Sequence, residues 1–327
     1  MIVGKDLEAW IADRPRQRAT KADMDACSLG WRQGAVHQHF RDAFDAIEAP
    51  TAEKIADTAA ALFADDQWVD ALVDCLAARM REDPFFNPPF PGLTTDVHNG
   101  LVVFQHELVS ISAGVSTAAQ LAIKKNAPNR GPTSVTFTGQ VSVFKFVKAG
   151  GARLSFWEAP PITTDFAAAD AGACVRTGER DLEDGEIIVI DGRRHSFVIE
   201  GLRSNLVILQ ASIACDQAPL SVEYDSASGA FVGCSATDDT ASRIQMITTL
   251  LRKLGCDAAL PVMAGLLDHQ DFFVRWHVMK EMLGLDVEAS LPHLKRMAAR
   301  DPHPDPRRAA RAVLDRLETR GKSRQAA

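Results

Sequence analysis

The sequence predicts a multidomain α+β protein with an N-terminal helical region, a central antiparallel β-barrel and a C-terminal α-solenoid. Three observations predict it. Apolar residues recur at helical spacing over residues 1–83, as in Trp68, Leu72, Val73, Leu76 and Met80. Short runs rich in Val, Ile, Phe and Thr, separated by Gly, Pro, Asn and Asp, fill residues 100–236. Helical periodicity then returns over residues 237–320, in two units that resemble one another. The 327 residues are too many for one ordinary core, which agrees with two or three structural units.

The first boundary lies at PFFNPPFPG, Pro84 to Gly92, where four prolines in nine residues end any helix, so residues 84–99 are expected to be a linker. The strand candidates that follow are LVVFQHELVSIS, AQLAIKK, SVTFTG, VSVFKFV, ARLSFW, EIIVI, HSFVIE and NLVILQASI. So many short strands without long helices between them favour an antiparallel sandwich or barrel over a doubly wound sheet. After Asp238, Ile244, Ile247, Leu250, Leu251 and Leu254 form one stripe, and Gly255 is placed to cap it.

The two C-terminal units echo each other. AALP, Ala258 to Pro261, recurs as ASLP, Ala289 to Pro292, and DHQDFFVR from Asp268 is echoed by DPHPDPRR from Asp301. A helix, a short Asp-containing turn and a second helix, repeated, resembles HEAT repeats. Two such units are fewer than the three that normally stand alone, so they are expected to lean on the rest of the chain. Phe272, Phe273, Trp276, Val278, Met279, Met282 and Leu283 make the middle helix apolar almost all round, which requires burial on several sides.

Composition narrows the function classes. The chain is 46% hydrophobic and 24% charged, and no tract approaches the ~18 apolar residues of a membrane-spanning helix. The first residues carry Lys5, Asp6 and Glu8 where a signal peptide would be apolar, so a cytoplasmic location is expected. The six cysteines are far apart in sequence, with no CxxC pair, which fits reduced thiols. Net charge is −7, yet Ser290 to Ala327 holds ten basic residues against four acidic ones. Arg307, Arg308 and Arg311 in this stretch are the candidate contacts for an acidic protein partner, and residues 321–327 form a basic tail. Nucleic acid is disfavoured because aromatic residues are not interleaved with the basic ones.

The most informative stretch for chemistry is LEDGEIIVIDGRRHSFVIEG, Leu182 to Gly201. A Gly turn, an apolar strand, the Asp191-Gly192 turn and a histidine opening the next strand resemble the second motif of the cupin superfamily. In that family the motif supplies a metal-binding histidine, which His195 matches, although the proline of the usual turn is missing. The resemblance implies a cupin-like jelly-roll barrel. A cupin metal site also needs two histidines one residue apart and a nearby glutamate from the first motif. The corresponding stretch, Pro132 to Gly151, contains neither. The positions fall on Ser134, Thr136 and Gln140 in one register, or on Thr136, Thr138 and Val143 in the other, and hydroxyls and amides are poor ligands for transition metals. No cofactor is therefore expected.

Other histidines offer less. His98, His106 and Glu107 are candidates to rebuild a site with His195, but adjacent His106 and Glu107 would face opposite sides of a strand. His37 and His39 lie ~200° apart around a helix and cannot share an ion. Arg275, four residues after Asp271, is expected to serve a helix start or an i,i+4 ion pair. Strand alternation puts His195, Phe197 and Ile199 on one face and Gln210 with Ser212 on one face of another strand. His195, Phe197, Gln210 and Ser212 are the candidate ligand-binding residues. The expected function is a small-molecule-binding or accessory protein taking a small organic ligand, its HEAT-like helices docking a partner. The alternative is a cupin-type enzyme, either a metal-dependent oxygenase, with the metal held through His195, or a metal-free isomerase using His195 as base.

Overall fold

The computed structural model describes residues 4–95, 98–126, 134–163 and 166–325. It consists of N-terminal helices, central antiparallel sheets and C-terminal helices, arranged as two compact units that interleave along the chain. The first comprises residues 1–131, 140–157 and 176–217, and the second residues 132–139, 158–175 and 218–327.

The first unit begins with α1 (Lys5–Ala12), α2 (Arg14–Gln33), α3 (Ala35–Asp45), α4 (Ala52–Phe63) and α5 (Gln67–Glu82). Local chemistry sets their ends. The Asp13 carboxylate accepts from Arg16 N–H and Pro15 opens α2, while Thr51 caps α4 by accepting from Lys54 N–H. The α2–α5 seam is tied by Thr20 to Asp83 at 2.5 Å and by Arg79 to Asp23.

These helices cover one face of a six-stranded antiparallel sheet. Its strands are β1 (Gly92–Thr94), β2 (His98–Gln105), β3 (Val109–Ser116), β5 (Val141–Lys148), β8 (Glu186–Asp191) and β10 (Leu206–Ile213), in the order β1-β2-β3-β10-β5-β8. Alternation divides each strand cleanly. Ile111, Val141, Val143, Leu209, Ala211 and Ile213 pack with Phe40, Phe44, Ile55 and Phe63 of the helices. Phe104 sits edge-on to Phe40 at 5.6 Å, and the Trp31 indole donates to Val103 O at 2.6 Å. Fully burying each such side chain is worth ~1.5–3 kcal/mol. The segment expected as a linker supplies β1 and the start of β2, and its Phe86 is buried in this core.

Two strand expectations are corrected. AQLAIKK is not a strand but lies in α6 (Ala118–Asn126), because Thr117 Oγ1 accepts from Gln120 N–H as an N-cap and Ala and Lys favour helix. LVVFQHELVSIS is not one strand but the β2–β3 hairpin, closed where His106 N–H donates to Val109 O at 2.9 Å. His106 and Glu107 therefore occupy a turn. The His106 ring lies beside Phe44 and Phe104, with Nε2 3.0 Å from Asp45 Oδ1 on α3.

A three-stranded sheet, β7 (Val175–Asp181), β6 (Arg153–Glu158) and β9 (His195–Gly201), completes this unit. Its Leu154, Phe156, Phe197 and Ile199 form a second core with Phe144, Phe146 and Ile208, on the sheet face turned away from the helices.

The second unit joins a three-stranded sheet, β4 (Ser134–Phe137), β11 (Leu220–Asp225) and β12 (Phe231–Ala236), to five helices. The helices are α7 (Asp239–Lys253), α8 (Leu260–Gly265), α9 (Phe272–Leu285), α10 (Val287–Arg300) and α11 (Pro304–Gln325). Asp238 caps α7 and Asp286 caps α10, each accepting from the amide three residues on. Gly255 ends α7 at φ +64°, with Cys256 N–H donating to Leu251 O and Gly255 N–H to Arg252 O, a Schellman closure. Helix α9 is central, touched by α7, α8, α10 and α11, and buries Val274, Val278, Met279 and Met282. Ala236 of β12 packs against the same core. Of the expected basic tail, Gly321 to Gln325 continue α11, and the last two residues lie outside the described residues.

Candidate functional site

The face of the six-stranded sheet turned away from the N-terminal helices carries a row of small polar side chains. Register fixes the row. Ser110, Ser112, Gly114 and Ser116 alternate along β3, and Ser112 stands opposite Gln210, Ser110 opposite Ser212, and Ser212 opposite Ser142 of β5. Gln210 Nε2 donates to Ser212 Oγ at 3.1 Å. Ser142 is 2% exposed and its Oγ has no hydrogen-bond partner among the described residues. A buried hydroxyl left unpaired costs ~1–3 kcal/mol, so a group that donates or accepts at this point gains that much.

At the other end of the row lies His98. Its Nδ1 is 3.1 Å from Ser116 Oγ, and its ring lies over Gly100 and Gly114. A Cβ on Gly114 would come within 2.4 Å of the imidazole, so glycine there is what admits the ring. Burial pushes the His98 pKa down and keeps the imidazole neutral. Hydroxyls, one amide and one neutral imidazole form a surface suited to an uncharged hydrogen-bonding molecule.

The structure brings together some of the expected residues and separates others. Gln210 and Ser212 lie in the row. Phe197 faces the same side but is taken up in the aromatic core, edge-on to Phe144 at 5.0 Å and 6.2 Å from Phe146. His195 is exposed at the start of β9. Val143, offered by one register of the metal motif, faces the helices instead, and Ser134 and Thr136 lie on β4 in the other unit. Among the described residues no three His, Cys, Asp or Glu side chains are grouped as a metal ion would need. His98, expected only as a partner to His195, instead stands at the end of the polar row. The signal for it was present in HNG and SISAGVS, where period-two Gly and Ser open one face of a hairpin.

In the second unit, Arg275 does not pair with Asp271. Its guanidinium grips Asp301 with two bonds, 2.7 and 2.9 Å, and donates to His269 O and Gln270 O at 2.8 Å each. Arg307 donates to Asp301 O and Pro302 O, Arg311 to Ala298 O, and Arg308 to Asp305. Arg307 and Arg311 thus close the carbonyl end of α10, while Arg308 and Arg311 remain exposed.

Residues 233–315 match the family model of HEAT repeats. The match runs from β12 into α11, so the matched segment includes Arg275 on α9 and Asp301 at the end of α10. Comparison with curated proteins finds no match. Among solved structures, ectoine synthase from P. lautus is similar at 9% identity over 37% of this chain and 67% of its own, with a TM-score of 0.22. A cupin domain from Bordetella pertussis Tohama I is similar at 13% identity over 38% of this chain and all of its own, TM-score 0.22. KdgF from Halomonas sp. is similar at 13% over 40% and 95%, TM-score 0.23. Scores of this size transfer neither fold nor site.

Histidines on α3, in the polar row and on α9 give stability a definite pH dependence. Burial, the largest cause in each case, pushes His37, His98 and His277 below the ordinary imidazole value. A depressed folded-state pKa means the unfolded chain takes up the proton first. The contribution is therefore complete above the unfolded value of ~6.5 and is lost as pH falls through the lower folded values. The melting temperature is expected to fall steadily below pH 6.5, and His98→Gln should reduce that slope. A melting temperature that rises on acidification would contradict this assignment.

Proposed function

We propose that the protein is a small-molecule-binding, accessory or regulatory protein of cupin-like build. Its polar sheet face would take a small uncharged organic ligand, without a transition metal, and its HEAT-like helices would dock an acidic protein partner. The observation that carries the reading is the buried, unpaired Ser142 hydroxyl in line with Ser212, Gln210 and Ser112. An acidic partner would meet the exposed guanidinium edge at Arg308 and Arg311, with Arg307 holding the turn beneath them. A cytoplasmic location is part of this proposal. Among the described residues no helix is long and apolar enough to cross a membrane.

Native mass spectrometry of protein purified without added metal tests the ligand. An organic mass retained by the folded protein is expected, lost on denaturation. Ser142→Val should weaken rebinding by about tenfold, the equivalent of one hydrogen bond of ~1.4 kcal/mol. Gly114→Ala should also weaken it, by displacing His98. Absence of any retained organic molecule, or rebinding indifferent to both changes, would refute the reading.

One observation favours a second reading, a metal-free enzyme. Burial keeps the His98 imidazole neutral, the state a general base needs, in the role first expected of His195. Under this reading His98→Gln abolishes turnover of the retained molecule while leaving its binding within a few-fold.

A further inference from the structure

The second unit carries another candidate site, unrelated to the polar sheet face. A cavity of about 540 Å³ opens between α9 and α11, walled by β12 and the turn at residues 168–170, all within the second unit. That volume lies within the ~300–1,000 Å³ of small-molecule sites. One stripe of α9 supplies Phe272, Phe273, Trp276 and Lys280, and the facing stripe of α11 supplies Ala309 and Ala312, whose small side chains leave the space open. The aromatic wall is held in place. Phe272 stacks on His303 at 3.7 Å and meets Phe273 edge-on at 5.6 Å, while His303 Nδ1 accepts from Asp305 N–H.

Charge selects the occupant. Asp305 is engaged by Arg308 and by Ala168 N–H, burial keeps His277 neutral, and burial raises the Cys234 thiol out of its ionising range. Lys280 is exposed at the rim and, among the described residues, its ammonium has no ion-pair or hydrogen-bond partner, nor has the Trp276 indole N–H one turn before it. A largely apolar pocket edged by the Lys280 cation, the Trp276 indole N–H and the Gln245 amide matches a molecule with a flat apolar body and a single carboxylate. We infer that this cavity binds small aromatic carboxylates, the ring against Phe272, Phe273 and Trp276 and the carboxylate toward Lys280 and the Trp276 N–H.

The probe is naphthalene-2-carboxylate, titrated calorimetrically into the full-length protein beside its uncharged carboxamide. Saturable binding is expected, with the carboxylate favoured by ~3- to 10-fold over the amide, as an exposed cation allows. Lys280→Ala should erase that preference, lowering carboxylate affinity more than amide affinity. Ala312→Trp, at an exposed position where folding tolerates it, should weaken both probes by more than tenfold by filling the cavity. Unaltered melting temperatures in both variants confirm that the change is local. No saturable binding up to millimolar probe, equal binding of both probes to the wild type, a preference that survives Lys280→Ala, or affinity unaltered by Ala312→Trp would each overturn the inference.

Discussion

Replacing Asp301 with alanine is expected to destabilise the helical unit by about 3–5 kcal/mol, the cost of stranding a buried charge. Arg275 and Asp301 are 5% and 7% exposed and bond bidentately through one guanidinium edge, Nε and Nη2. Asp301 Oδ1 also accepts from His303 N–H, so one carboxylate joins the middle helix to the turn that opens α11. With alanine there, the guanidinium keeps two carbonyl acceptors but loses its counter-ion. Arg275→Met combined with Asp301→Leu should recover more than half of the loss, because it removes both charges and fills the volume. Hydrogen exchange of α9 and α10 amides reads the unit directly. A change within 1 kcal/mol for Asp301→Ala would show that water reaches the pair.

The other large effect is expected at Lys145. It is 5% exposed in the middle of β5, and its ammonium donates to Phe63 O at 2.7 Å, to Ala64 O at 3.3 Å and to Asp66 at 3.0 Å. These carbonyls end α4, where the helix has no internal donors left and its dipole favours a cation. Lys145→Met preserves the apolar stem and most of the volume but leaves the carbonyls and Asp66 unpaired. The loss should be about 2–3 kcal/mol, with the loop between α4 and α5 becoming the first site cut by protease. A urea midpoint equal to wild type would show that water replaces the ammonium.

Both residues mark where sequence reasoning stops. The helical ends and the central strands were legible because their periods differ, 3.6 against 2, and because Pro, Gly and Asp punctuate them. Gly255 was readable as a helix end from its place alone. A lysine inside VSVFKFV, by contrast, reads as a solvent-facing position, since its acceptors lie on a helix some eighty residues earlier in the chain. Arg275 has the same difficulty, with a partner 26 residues later that local spacing cannot favour over Asp271. AQLAIKK failed for another reason, that a short apolar run carries too few residues to separate the two periods. At the candidate site, alternation correctly placed Gln210 beside Ser212. Alternation gives the face on which Phe197 lies but not its packing against Phe144 and Phe146, because that depends on which strand lies across from it. His98 stands in no cupin motif, and what marks its place is the small Gly and Ser side chains that alternate along the neighbouring strand.

The interleaving of the two units has a consequence for how this chain is made and inherited. The chain passes between them five times, and β4 must wait for β11 and β12, more than eighty residues further along, before its sheet exists. During synthesis the short stretch holding β4 emerges with no partner, whereas β2 and β3, just before it, already have each other. Helices α7–α11 complete a unit whose first strand was translated long before. A recombination event that replaces only the stretch coding for these helices would therefore exchange them while keeping an old β4. A new C-terminal segment must arrive already able to pair with it, so the two halves of this protein are constrained to diverge in step.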